Sequence, residues 1–437
     1  MKVRAARPYS YFVPLRNKIR PHAPADRPSP QSRSNAARSR TLPASALSSW
    51  GGARLALTAF FAVDGLLFAA WVVRIPDIRN QVSASHGALG LALLCVSAGA
   101  VATMPVVSRL CLRYGSRPIT VASLALLAVS VPLPAHTHSV PALGGVLLLF
   151  GAGYGGANVA MNSAAVEIVS ELGRPVMPSF HAGYSLGGLL GAGAGGLLAG
   201  TLTAAQWLAA AGLLGLAVTA LAGAALLRSP AARPVGTASA AASSSGGTAS
   251  GTASGSASGA GRVLVLLLGL TALCTAYGEG AIADWTTVHL TDDVHAGAQV
   301  AAAGYVAYAL AMTTGRIGGT WLSVRLGQHR VMLLGGFTAA AGMLLAALAP
   351  LVPLALAGFV LVGLGLANLF PLAIAQAGAA GGPRGVALAS TLGYGGMLIG
   401  PPVIGFLADA TSLPLALTTV AAAAVVAALL PLAVRRH

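Results

Sequence analysis

The sequence predicts an all-α integral membrane fold: twelve transmembrane helices in two pseudo-symmetric six-helix bundles. Three observations predict it. Apolar stretches of about twenty residues recur along the chain, charge is scarce, and the second half repeats features of the first in the same order. Of 437 residues, 56% are hydrophobic and 8% are charged, with a mean hydropathy of +0.77. That is too little charge to cover a water-soluble domain of this size. The 56 Gly and 25 Pro fall mostly inside long apolar runs, where lipid-embedded helices tolerate them. A collagen-like or soluble globular chain is therefore excluded. Cys95, Cys111 and Cys274 stand far apart with no C-x-x-C pair, which supports neither a disulfide framework nor a metal site.

Residues 1–53 are expected to form a disordered basic tail, because ten Lys/Arg lie there among Pro, Ser and Ala with almost nothing apolar to bury. From Arg54 onward the predicted spans cover 54–73, 87–108, 118–135, 140–163, 178–201, 204–227, 263–286, 298–320, 331–350, 353–377, 386–408 and 412–434. The fifth and sixth nearly run together. Between the sixth and seventh, residues 229–261 are rich in Ser, Gly, Ala and Thr and form a flexible linker between bundles at 54–228 and 262–437.

Charge placement sets orientation. With the amino terminus inside, the cytoplasmic face receives the tail, Arg54, Arg109, Arg113, Arg117, Arg174, Arg228, Arg325, Arg330 and the last arginines, while the outer loops receive only Arg74 and Arg79. Arg316 sits near the inner end of the eighth span. This is the positive-inside bias, and it puts both termini and the linker in the cytoplasm. The net charge of +16 is a matter of topology. Nucleic-acid binding, which needs a basic face on a folded soluble domain, is not expected.

An internal repeat supports the two halves. Gly153-x-Gly155-x-Ala157-Asn158 recurs as Gly363-x-Gly365-x-Ala367-Asn368, 210 residues later. Arg113-Tyr-Gly115 recurs as Arg325-Leu-Gly327, 212 later, and Gly187, Gly191 and Gly196 recur as Gly396, Gly400 and Gly405, 209 later. Three matches at nearly one offset point to a duplicated six-span unit, repeated about an axis normal to the membrane.

With these features, residues 54–434 resemble the major facilitator superfamily. The loop Ser108-Arg-Leu-Cys-Leu112-Arg113-Tyr-Gly115-Ser-Arg117 is similar to that family's G-x-L-x-D-R-x-G-x-R signature, with Ser108 in place of the first Gly and Leu112 in place of the Asp. Asp64-Gly65, Trp71-x-x-Arg74-Ile75-Pro76, Asn158-x-x-x-Asn162, Gly173-Arg174-Pro175, Ser179-Phe180-His181 and Glu279-Gly280-Ala281 with Asp284-Trp285 resemble the fucose-permease-like branch of bacterial sugar:proton symporters. The resemblance implies a multi-pass protein of the bacterial plasma (inner) membrane.

Ionisable groups within spans are the first candidates for mechanism, since each costs at least ~2.5 kcal/mol to insert. Asp64 lies about eleven residues, or roughly 15 Å, into the first span, near the midplane. A carboxyl there suits a reversible proton carrier or a solute contact, against the alternative of a carboxylate held for packing. Glu279 is read as the corresponding acid of the seventh span, nearer the outer face. It either serves the solute or the proton, binding substrate or joining Asp64 in coupling, or it pairs with Arg74 or Arg79 across the outer mouth. Asp292 and Asp293 are expected in a solvated outer loop.

Asn158 and Asn162 share one face of a helix. Their amides can bond solute hydroxyls or act as interhelical glue worth ~0.6 kcal/mol per bond, and Asn368 is treated alike. In the resembling branch the first of these positions is commonly acidic, so Asn158 argues against proton coupling through this span. Trp71, Tyr184, Trp285 and Tyr305 either stack against a sugar ring or belong to the interfacial belt. Arg74, Arg113 with Gly115 and Arg117, Arg325 with Gly327, and His181 are assigned to gating, where a group bonds in one conformation and releases in the other.

The function expected is secondary active transport of a small polar solute, coupled to a proton or another ion, by a monomer in contact with lipid. Drug or metabolite efflux is the alternative. It is weakened because Ala192 stands where the drug-antiporter pattern G-x-x-x-G-P-x-x-G-G has Pro. A non-transporting receptor or scaffold is a third reading. No H-E-x-x-H, G-x-S-x-G or nucleotide loop stands in the right context, so neither an enzyme nor a cofactor is expected.

Overall fold

The computed structural model describes residues 44–172, 177–228 and 259–434. The interiors of the expected tail and linker, the loop carrying Gly173, Arg174 and Pro175, and the last three residues lie outside the described residues. The compact unit that concerns function is Leu47–His437.

No strand occurs among the described residues. The first bundle contains α1 (Ala44–Val72), α2 (Ile75–Gln81), α3 (His86–Tyr114), α4 (Ser116–Ser130), α5 (Val140–Leu172), α6 (Met177–Leu197) and α7 (Ala204–Arg228). The second contains α8 (Gly259–Asp292), α9 (Ala298–Leu326), α10 (Gln328–Leu348), α11 (Val352–Leu366), α12 (Leu369–Ala410) and α13 (Leu413–Val434). Among the described residues, ten segments are long and apolar enough to cross a membrane, and α6 and α9, of 21 and 29 residues, bring the set to twelve. Large apolar side chains such as Leu112, Leu221, Ile317 and Val324 project from the outside of the bundle. Lipid, not water, is the solvent in which such faces are stable.

Several boundaries differ from expectation for local reasons. Helix α1 starts at Ala44 and α8 at Gly259, so both reach into stretches assigned to the tail and the linker. Pro76 sits in the first turn of the short helix α2, where a missing N–H costs nothing. The fifth and sixth spans are separated by a 3-10 turn, Leu198–Gly200. A reciprocal cap then starts α7: Gln206 N–H donates to Thr203 Oγ1 at 3.2 Å and Thr203 N–H donates to Gln206 Oε1 at 3.0 Å. The tenth span is broken at Ala367–Asn368 between α11 and α12. Helix α12 then runs into the eleventh span through a kink at Gly382, with φ 59° and ψ −149°, a conformation that suits glycine.

The sequence repeat is also a structural repeat. Gly115 (φ 88°, ψ 153°) ends α3 and begins α4, and Gly327 (φ 80°, ψ 144°) ends α9 and begins α10. In each bundle the first helix packs against the fifth span through matched glycines. A methyl on Gly187 would overlap the Ala62 carbonyl oxygen of α1, and one on Gly396 would overlap the Leu273 carbonyl oxygen of α8. The final glycine of each set meets the opposite bundle: Gly196 faces Ala302 of α9, and Gly405 faces the His86 backbone of α3.

Candidate functional site

Asp64 projects from the middle of α1 and is 0% exposed. Among the described residues, no hydrogen-bond donor reaches either of its carboxylate oxygens. Around it, Tyr154 of α5 and Tyr184 of α6 share a hydroxyl–hydroxyl bond of 2.9 Å, and both rings lie within electrostatic reach of the carboxyl. Phe68, one turn along α1, stacks on Tyr154 with ring centroids 4.9 Å apart. The α1–α6 contact at this depth is glycine-mediated, since a side chain on Gly65 would strike the Tyr184 backbone. The carboxyl is thus enclosed by aromatic rings and close-packed backbone, with the tyrosine hydroxyls as its polar neighbours.

In the second bundle the repeat register gives a different result from the one expected. Ala62 pairs with Gly187 where Leu273 pairs with Gly396, so Asp64 aligns with Thr275 and Glu279 aligns with Phe68. Thr275 is buried and donates to the Thr271 carbonyl at 2.8 Å. Glu279 lies one turn further toward the carboxy end of its helix, and its partner is neither Arg74 nor Arg79. Arg316 of α9 reaches it, Nη2 donating to both carboxylate oxygens at 3.2 and 3.4 Å. The same guanidinium donates from Nε to the Ala367 carbonyl at the α11–α12 break, at 3.4 Å. Sequence reasoning places Arg316 near a span end and gives it no role. The signal that could have found it is that it is the one arginine within a predicted span of the second half.

The three asparagines separate. Asn162 donates to the Asn158 carbonyl at 2.8 Å, within its own helix, and both side chains are half-buried. Asn368 instead bonds across helices, its Nδ2 donating to the Gly315 carbonyl of α9 at 3.0 Å. That bond stitches the helix break to the residue beside Arg316. Replacing Asn368 with Ala is expected to loosen this junction by about 1 kcal/mol, read as a fall of a few degrees in Tm. Trp71 is buried against Phe150 at 6.2 Å between centroids, and Trp285 is 0% exposed near His86. In this conformation both are packing residues. Of the four expected aromatics, Tyr184 is the one within electrostatic reach of Asp64, while Tyr305 lies near Glu279.

The gating residues also sort by position. Arg74 is buried and holds the end of its own bundle together, donating to Asp77 at 3.0 Å and to the Gly195 and Leu202 carbonyls at 3.4 and 3.2 Å; these bonds do not cross between bundles. Arg113 and Arg325 lie over aromatic rings of their own helices, Tyr114 at 5.2 Å and Trp321 at 5.0 Å, and Arg117 is buried at the start of α4. His181 is exposed on α6, with its ring 5.4 Å from that of Phe61, and Arg316 of the other bundle acts on it electrostatically.

The hydrogen bonds that join the bundles cluster at the end where α3 begins and α12 stops. Asp409 accepts from Ser85 Oγ at 2.7 Å and from the backbone N–H groups of His86 and Gly87 at 2.8 and 2.9 Å. A carboxylate of one bundle therefore caps a helix of the other, satisfying donors that α3 cannot satisfy itself. Arg79 pairs with Asp292. His86 stands between the two acids, 3.9 Å from Asp292 and 3.6 Å from Asp409. Asp292 is thus a cross-bundle partner instead of a solvated loop acid, and Asp293 Oδ2 lies 2.9 Å from His289 Nδ1 in a hydrogen bond. Thr287 donates to the Val72 carbonyl at 3.3 Å and Gln299 to the Leu197 carbonyl at 3.2 Å, completing the seam.

Comparison with known proteins agrees with this architecture. The profile of the Major Facilitator Superfamily matches residues 55–278 and again 268–437. Transporter y4wD of Sinorhizobium fredii is 34% identical over 395 residues, covering 88% of this chain and 98% of its own. Membrane protein MosC of Rhizobium meliloti is 30% identical over 420 residues, covering 94% and 98%. Among solved structures, the nucleoside transporter NupG superposes with a TM-score of 0.66 at 15% identity, covering 88% of this chain and 99% of its own. A bacterial homologue of the lysosomal transporter Spinster gives 0.70 at 14% identity, covering 89% and 97%. The twelve-helix duplicated bundle and these relatives together show a multi-pass, non-enzymatic transport protein, and the chain belongs to the Major Facilitator Superfamily.

Proposed function

We propose that the chain carries a small polar, sugar-like solute by alternating access, coupled to protons, in the bacterial inner membrane with both termini cytoplasmic. The observation that carries the reading is Asp64, sealed from water with neither oxygen bonded among the described residues. Holding such a group has a cost that a packing role does not explain. Its charge state follows whether water reaches it, so movements that open and seal the site couple to proton uptake and release. The hydroxyl pair of Tyr154 and Tyr184 and the half-buried amides of Asn158 and Asn162 supply donors and acceptors for a polyol. The loop charge bias supports an outer position for the Asp409–α3 seam. In that position the seam is a closed outer gate, and the solute path opens toward the cytoplasm.

In proteoliposomes, with a solute identified by thermal-shift screening, Asp64→Asn is expected to abolish accumulation driven by a pH gradient. Counterflow exchange, which needs no net proton movement, is expected to persist. Gradient-driven accumulation at the wild-type level would remove Asp64 from the coupling step.

A further inference from the structure

Arg316 carries a permanent charge inside the bundle. Asp64, Glu279 and Asp284 can shed theirs by taking a proton, but a guanidinium stays charged in proteins. Its side chain is 48% exposed, against 24% for Glu279, and its bonds reach α8 and the α11–α12 break. The bonding is loose and incomplete. One nitrogen, Nη2, spans both Glu279 oxygens at 3.2 and 3.4 Å, Nε reaches the Ala367 carbonyl at 3.4 Å, and Nη1 makes no hydrogen bond among the described residues. A well-formed arginine–carboxylate fork uses two nitrogens at about 2.8 Å each. The guanidinium is thus positioned by a carbonyl and balanced by a carboxylate, with its Nη1 edge unused. Tyr305 and Tyr308 of α9 lie within electrostatic reach of Glu279, and the exposed His181 of the other bundle lies within electrostatic reach of Arg316.

We propose that the transported solute is an organic anion of sugar size whose carboxylate binds the unused Nη1 of Arg316 and takes Nη2 by displacing Glu279. The inference rests on the sugar-like transport reading above and narrows it. The anionic end lies on the second bundle at Arg316, and the hydroxyls lie toward Tyr305 and the polar groups of the first bundle. Glu279 then acts as the internal competitor that neutralises Arg316 when no solute is bound. A neutral sugar would leave the ion pair intact and gain nothing from the guanidinium. An amino sugar would be repelled by it.

The test is thermal stabilisation of the purified full-length protein by three matched sets of probes: aldohexoses, the corresponding uronates and the corresponding 2-amino sugars. Uronates alone are expected to raise Tm. Arg316→Gln is expected to abolish the rise, and Arg316→Lys to weaken uronate binding about tenfold, because a lysine cannot make the fork. Glu279→Gln removes the competitor and is expected to lower the uronate Kd several-fold. This gain of affinity keeps the proposal falsifiable even if Arg316→Gln fails to fold. Stabilisation by aldohexoses or amino sugars without uronates would overturn the carboxylate claim and leave the sugar-like reading standing. Weaker uronate binding in Glu279→Gln would overturn the displacement. Stabilisation by none of the three sets would overturn both this inference and the sugar-like reading.

Discussion

Replacing Asp409 with Ala is expected to open the seam between the bundles at the α3 end. The substitution removes three hydrogen bonds to α3, from Ser85 Oγ and the His86 and Gly87 amides. Each such charge-assisted cap bond contributes about 1 kcal/mol. A loss of about 3 kcal/mol corresponds to a shift of roughly a hundredfold in the balance between closed and open seams. Spin labels at Asn80 on α2 and Thr411 beyond α12 report it: the wild type should give one short distance, and Asp409→Ala should add a longer component that dominates. Asp409→Asn retains one carbonyl acceptor and should fall between the two. Arg79→Ala removes the neighbouring pair with Asp292 and should act in the same direction. His86 touches both acids, so the double variant should depart from additivity. An unchanged distance in Asp409→Ala would show that the seam is held by the close backbone packing at Gly405 and Gly90 instead.

What is legible in the sequence follows from the one-dimensional pattern. Span length against bilayer thickness gives the helices, and repeated glycines give the duplication, since a turn such as Gly115 or Gly327, with positive φ in both copies, leaves a residue type that is visible without coordinates. The rotation of each helix about its axis is not legible. A span that is apolar nearly all round carries little periodic signal to say which face meets which neighbour. Sequence order therefore aligns Glu279 with Asp64 where packing aligns Thr275 with it, and offers Glu279 the partners Arg74 or Arg79 in place of Arg316. The Asp409 cap is hidden for a related reason. Two of its bonds join residues more than 320 positions apart through backbone amides, which have no sequence signature. Arg74 is legible as an outer-loop charge but not as a buried structural one, because two of its acceptors, at Gly195 and Leu202, are carbonyls.

The matched glycines allow an equally large effect on the fold itself. Gly187→Ala is expected to prevent close packing of α1 on α6, because the new methyl would overlap the Ala62 carbonyl, which belongs to helix backbone and cannot rotate away. Overpacking at a flexible neighbour costs about 1–3 kcal/mol; against backbone the helices must separate, and the enclosure of Asp64 is lost with them. Gly193, further along the same helix, has no heavy atom within 4 Å of the place a methyl would occupy, so Gly193→Ala controls for helix propensity and should leave Tm unchanged or slightly raised. Gly396→Ala, which meets the Leu273 carbonyl in the second bundle, should reproduce the Gly187 effect if the two bundles are packed by the same rule. Melting of the three variants in detergent, together with size-exclusion profiles, gives the comparison. Equal stability of Gly187→Ala and Gly193→Ala would mean that α1 and α6 are not in contact along this line. The aromatic and backbone enclosure of Asp64 would then need another support. A loss at Gly187 with none at Gly396 would instead locate the stability of the transporter in its first bundle, where the sealed carboxyl lies.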